Sequence, residues 1–162
     1  MTFANIVLGA AVLVAALVVA GRAGLLAGSA PGDLGLKNGL LKAPSKTRNS
    51  VTSQADSFPD ATQRDYARIA PLAYTGDSAA AIDRLATVIS GMPGAVLVTR
   101  EPAYLYATFT TPWLRFVDDV EFALDAPAGV IQLRSASRLG QEDFGTNRRR
   151  IEAIRSAFNA GR

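Results

Sequence analysis

Three carboxylates crowd the string DDVEF, at Asp118, Asp119 and Glu121. A little further on, RSASRLGQEDFGTNRRR (residues 134–150) gathers five arginines with two serines, an asparagine and two more acids. Carboxylates beside arginines support two kinds of chemistry. A desolvated carboxylate can act as a base while guanidinium groups stabilise developing negative charge. Alternatively, guanidinium forks can hold a carboxylate or phosphate without turning it over. The chain has no cysteine and no histidine, which excludes disulfides, thiolate catalysis, histidine-based acid–base work and the usual Cys/His zinc sites. No metal and no cofactor are expected. No glycine-rich phosphate loop is present, and RSASR lacks the flanking glycines of a nucleophile elbow.

The net charge of the 162 residues is +3. From Arg134 onward there are seven arginines and three acids, so that end alone carries +4. Such a bias attracts phosphate, carboxylate or an anionic membrane surface, and it also describes an ordinary solvated helix face. Basic residues are not interleaved with aromatic ones and no nucleic-acid motif appears, so nucleic acid is not expected as a partner.

The elements that must position these groups are legible in outline. Phe3 to Gly21 is an uncharged run of nineteen residues ended by Arg22, close to the roughly 20 that cross a bilayer. No Lys or Arg precedes it, and its best small-residue stretch, AGSAP, would put Pro31 at the start of a mature chain, which favours an uncleaved anchor over a signal peptide. Arg22, Lys37, Lys42, Lys46 and Arg48 all follow the run, a count that points to a cytoplasmic body, although a whole translocated domain escapes that rule. The side of the membrane is left open. Residues 22–61 read as a linker, partly docked, rich in Gly, Ser, Pro, Lys and Asn.

Residues 62–162 are expected to form one domain. Asp77 or Ser78 caps a helix to about Ser90, with Ile82, Leu85, Ile89 and Met92 on one stripe and Gly91–Pro93 as its stop. Four strands follow, in AVLVT, YLYATFT, LRFVDDVEFAL and GVIQLRSAS, and a helix from about Thr146 to Asn159 closes the chain with Ile151, Ile154 and Phe158 inward. The expected fold is α+β: a four-stranded antiparallel meander flanked by an N-terminal and a C-terminal helix, preceded by one transmembrane helix.

A one-residue slip turns every side chain of a strand over, so face matching constrains how the last two strands pair. Leu114, Phe116, Val120, Phe122 and Leu124 should share one face, and Ile131, Leu133 and Leu139 the matching one. Setting Phe122 against Ile131 and Val120 against Leu133 places Asp119 opposite Arg134 and Glu121 opposite Gln132 on the outer face. It places Asp118 opposite Ser135, and Phe116 opposite Ser137, on the apolar face. An acid there needs a partner, which Ser135, Asn147 or an arginine can supply. Asp143 or Thr146 caps the terminal helix, Gly140 and Gly145 supply permissive angles, and the helix start beside Arg148 and Arg150 offers an anion site. Arg138 and the run 148–150 are the cations expected to remain free for a ligand.

Taken together, DDVEF, RSASRLG and EDFGTNRRRIE, with DLGLKNGLL, NSVTSQA and IAPLAYTGD before them in order, resemble the bacterial and plastid family known as domain of unknown function 1499. The resemblance runs from about Asp33 to the C-terminus and implies a small domain, often behind an N-terminal membrane segment or export signal, with no established activity. Its motif residues here are Asn49, Ser53, Gln54, Asp118, Asp119, Glu121, Arg134, Ser135, Ser137, Arg138, Asp143, Asn147 and Arg150. Many relatives carry a cysteine pair near the SSQ segment; this chain has Ser50 where one cysteine would stand. Three functions compete: a membrane-tethered binding or scaffolding module for an anionic small molecule, lipid headgroup or acidic protein; a hydrolase or transferase centred on Asp118, Arg134 and Arg138; and a purely structural role in the envelope.

Overall fold

The computed structural model describes residues 2–161. Helix α1 (Phe3–Arg22) is apolar all round and stands clear of the rest of the chain over most of its length. It is long and apolar enough to cross a membrane. A helix with no polar face gains nothing from water on any side.

The body is a six-stranded antiparallel sheet with helices on one face. After β1 (Ser50–Thr52), the short α2 (Arg64–Ala67) and β2 (Leu72–Ala73), helix α3 (Ser78–Ser90) leads into β3 (Ala95–Glu101), β4 (Tyr104–Thr110), β5 (Val117–Asp125) and β6 (Val130–Ser137), and α4 (Thr146–Ala160) ends the chain. Strands β3 to β6 form the expected meander. Two short strands are added: β1 and β2 lie in line along the free edge of β6. The meander is thus four strands of a six-stranded sheet, and one of the extra two comes from the segment that composition marks as linker.

The helices start and stop as their residues dictate. The Asp77 side chain accepts from the Ala80 N–H at 2.8 Å, closing the first turn of α3, and Gly91 ends it. Ile82, Leu85 and Ile89 from α3 and Ile151, Ile154 and Phe158 from α4 are buried against Leu105, Ala107, Phe109, Val120, Phe122, Ile131 and Leu133 of the sheet. This is the core. Every second residue of β4, β5 and β6 enters it, as the two-residue period of a strand requires.

The β5–β6 register departs from expectation by two residues. Phe122 pairs with Leu133 and Val120 with Ser135; Asp118 faces Ser137, Asp119 faces Ala136 and Glu121 faces Arg134. A shift of two keeps every side chain on its expected face while changing its partner. Loop chemistry explains the choice. Phe122 against Ile131 would leave Ala126 and Pro127 as a two-residue turn, a geometry that demands positive φ, which proline cannot adopt. The observed loop has four residues, 126–129, and places the one positive φ (66°) on Gly129. Two further expectations fail nearby. Leu114 and Phe116 precede β5, because Arg115 has φ 57° and a turn closes between Thr111 and Phe116. Leu139 lies beyond β6 and is 42 % exposed.

The sheet's other face is open to solvent along β3, where Val96 and Val98 are more than half exposed, but not over β5 and β6. Residues 29–46 run across it as a strap. Asn38 and Gly39, both at positive φ, make a tight turn between Lys37 and Leu40. The Leu41 N–H donates to the Gln54 side chain at 2.8 Å, which in turn donates to the Gly39 carbonyl. The Ser45 N–H donates to Ser50 Oγ at 2.8 Å. Beneath this cover, Asp119, Glu121 and Arg134 are buried.

Candidate functional site

The expected polar residues divide into two clusters on opposite faces of the sheet.

The helix-side cluster is bonded internally, with Asp118, Ser137 and Asp143 also lining a cavity of about 320 Å³. Arg150 donates to the Asp118 carboxylate, to Ser135 Oγ at 3.1 Å and to Asn147 Oδ1 at 2.8 Å. Ser135 Oγ donates to Asn147 Oδ1. Asn147 Nδ2 donates to Ser137 Oγ, to the Asn49 carbonyl and to Asp143 Oδ2. The Asp143 carboxylate also accepts from the Gly145 and Asn147 N–H groups and from the Tyr66 hydroxyl at 2.5 Å. Asp143 therefore caps α4, while Gly145 provides the left-handed turn before it. Burial alone would raise the Asp143 pKa, but the bonds from Tyr66, Asn147 and Gly145 outweigh it and hold the carboxyl below its ordinary range. Burial, then that same carboxylate, pushes Tyr66 up to about 12.

This arrangement corrects the expectation of free cations. Arg150 serves Asp118. Arg148 donates to the carbonyls of Arg68 and Tyr66, and Arg149 to the Phe144 carbonyl and Thr146 Oγ1. The start of α4 is filled by the chain's own carboxylate, so the anion site expected there is already occupied by Asp143.

The strap-side cluster is built from diagonal neighbours. Asp119 and Glu121, two apart on β5, meet tyrosines two apart on β4: the Tyr106 hydroxyl donates to Asp119 at 2.6 Å and the Tyr104 hydroxyl to Glu121 at 2.8 Å. Arg138, just beyond β6, clamps Asp119 through Nε (3.1 and 3.0 Å) and its terminal nitrogen (2.7 Å), and also donates to the Tyr106 hydroxyl. Asp119 is thereby saturated by Arg138, not by Arg134 as the expected register required. Burial and the Asp119 carboxylate push Tyr106 up to about 12, and burial with Glu121 raises Tyr104 further.

Glu121 and Arg134 are less complete. Glu121 Oε1 accepts from Tyr104 and from the Gly35 N–H of the strap at 2.7 Å. Oε2 is buried without a hydrogen bond. Arg134, directly opposite, comes no closer than 3.9 Å to it. The Arg134 side chain is 4 % exposed, yet among the described residues its one hydrogen bond is a long one from Nε to the Ala43 carbonyl, 3.4 Å. Burial draws its pKa down, against the pull of Glu121, Asp119 and Asp33. Arg134 lines a cavity of about 420 Å³ under the strap, together with Lys42, Ser45, Lys46, Asp119 and Arg138. A second cavity of about 400 Å³ flanks the same strap residues, 43–46, on their other side.

Sequence reasoning missed Tyr66, Tyr104, Tyr106, Gly35, Lys42 and Lys46 as members of these clusters. The tyrosines left a signal: two at i, i+2 on β4 share a face with two acids at i, i+2 on β5. The strap residues left only the motif DLGLKNGLL around Gly35, with nothing to say where it docks, because they reach the site through tertiary contact. Among the described residues no group of three or more carboxylates is placed to hold a metal.

The three residues of the catalytic alternative do not meet. Asp118 lies on the helix side, with Arg134 and Arg138 on the strap side and the sheet between them. Residues 41–158 match the model of a family described as protein of unknown function (DUF1499). No curated protein and no solved structure matches the chain.

Proposed function

Because the chain belongs to the family of proteins of unknown function DUF1499, which supplies a domain and no activity, we propose that it is a membrane-tethered binding module whose ligand is a small anion held by Arg134 beneath the strap. One observation carries this reading: a guanidinium 4 % exposed, facing a cavity, with no hydrogen bond from either terminal nitrogen among the described residues. Burying a charge is costly unless it is paired and hydrogen-bonded. Glu121 is positioned to pair but is turned toward Tyr104 and Gly35. A carboxylate or phosphate group in the cavity would accept the bidentate fork that Glu121 does not.

The surroundings favour the same charge. Of the cavity's cations, Arg138 is neutralised by Asp119 and Lys42 by Asp33 at 2.7 Å, while Lys46 is exposed and makes no ion pair among the described residues. Arg134 and Lys46 are therefore the two positive groups available to an incoming anion. The catalytic reading needs Asp118 at the same substrate, and the sheet separates them. The anchor is α1, whose residues before Arg22 are all uncharged.

The test is a thermal-shift panel on the full chain in detergent micelles with phosphate, sulfate, citrate and neutral controls. Stabilisation by the anions, and its loss in Arg134→Gln, is the expected result. An unchanged melting point with every anion, or an equal shift in the variant, overturns the proposal.

A further inference from the structure

Helix α1 does not end in open space. Gly21 is buried, and a methyl group added to it would overlap the Leu114 carbonyl. Beyond the helix, Gly28 lies against Arg138 and Leu139, whose side chains a methyl group there would also meet. The end of α1 and the segment after it are thus packed on two loops, residues 111–116 and 138–145, at one end of the sheet. These loops are neighbours: Thr111, Phe116, Leu139 and Phe144 line one cavity.

The same loops carry the two most exposed large apolar side chains among the described residues of the domain, Trp113 at 70 % and Phe144 at 81 %, and also Leu139 at 42 %. Arg22 and Arg115, next in sequence to Gly21 and Leu114, are exposed and make no ion pair among the described residues. A helix of 20 residues is about 30 Å long, the depth of a bilayer's hydrocarbon core, so its Gly21 end falls at the boundary with the headgroups. Contact between Gly21 and Leu114 brings Trp113 to that same level. Tryptophan is favoured at that boundary, where its ring is half apolar and its N–H meets water, and arginines there meet anionic headgroups.

We propose that this rim of the domain is seated in the interfacial layer of the bilayer that α1 crosses, with Trp113, Leu139 and Phe144 inserted among lipid headgroups. The inference rests on α1 remaining as an anchor. It makes the module a surface-seated one rather than a domain swinging on a tether, and fixes which end of the sheet faces lipid.

Trp113 is the chain's single tryptophan, so its fluorescence reports on the rim alone. The full chain is reconstituted into phosphatidylcholine vesicles containing phosphatidylglycerol, with bromine placed at different acyl depths, and aqueous iodide serves as the opposing quencher. Alkaline extraction and intact mass are measured on the same sample. The expected result is a blue-shifted emission, quenched most by shallow bromines and little by iodide. In Gly21→Leu, which cannot keep the close approach to Leu114, iodide should regain access. A chain that resists extraction at full mass while iodide quenches Trp113 freely overturns the docking and leaves the anchor standing. A chain that is extracted or shortened overturns both. Persistent lipid quenching in Gly21→Leu overturns the role given to the helix end.

Discussion

Arg134 and Glu121 face each other across β5 and β6, both buried, with 3.9 Å between their nearest charged atoms and no hydrogen bond joining them. Removing one partner of such a pair leaves the other as an uncompensated buried charge. Arg134→Met should therefore destabilise the protein by about 3 kcal/mol, and adding Glu121→Gln should recover most of that loss. Denaturation of the full chain and its two variants in mild detergent gives the comparison. Additive losses in the double variant would mean that the two residues do not sense each other.

On the helix side, Asp118 is buried and its carboxylate accepts from Arg150. Asp118→Ala strands that guanidinium among Ser135, Asn147 and the Phe109 ring, 5.0 Å from its centroid. The expected cost is about 2 kcal/mol or more. Thermal melts unchanged by the substitution would refute the internal network.

Acid should loosen the start of α4. The Asp143 carboxyl is held below its ordinary value of 3.8 in the folded protein. A group with a depressed folded pKa stabilises above its unfolded value, and that contribution is lost as pH falls through the folded one. Stability should thus drop below about pH 4 in the natural chain. Asp143→Asn should be less stable at neutral pH and show a flatter acid limb. Parallel acid limbs would contradict the assignment.

At alkaline pH the sign reverses. Tyr66 and Tyr106 are pushed up to about 12 by burial and by Asp143 and Asp119, and Tyr104 is raised as well. Their neutral forms are favoured in the fold, so their contribution is complete below the usual tyrosine pKa of about 10 and is lost as pH climbs past it. A spectrophotometric titration should find these three phenols still protonated when free tyrosine is half ionised. Ionisation of all four tyrosines in one step near the ordinary pKa would exclude these contacts.

Some of this architecture could be read from residue types. The Asp77 cap, the Gly91 stop and the stripe of Ile151, Ile154 and Phe158 follow from local chemistry, and so do the helices they define. Which side chains of β5 and β6 share a face follows from the two-residue period. Their partners do not, because a slip of two leaves every face unchanged; only the intolerance of Pro127 for a primed turn decides between Arg134 and Gln132 opposite Glu121. β1 and β2 have three and two residues, too few to show any period. The strap reads as partly docked, through the motif DLGLKNGLL, but its role in the site does not show, for a different reason. Its Gly35 N–H and Ala43 carbonyl act through the backbone, which any residue supplies, so no residue type marks them as part of the site.

The proposed anion would take the place beside Arg134 that Glu121 only partly fills. The most direct measurement is calorimetric titration of the full chain with citrate, alongside Arg134→Gln and Glu121→Gln. The two substitutions should act in opposite directions. Loss of the guanidinium should weaken binding by about tenfold or more, the worth of one charge-assisted hydrogen bond, whereas loss of the competing carboxylate should tighten it. Equal affinity in the natural chain and Arg134→Gln, or weaker binding in Glu121→Gln, would contradict the proposed site.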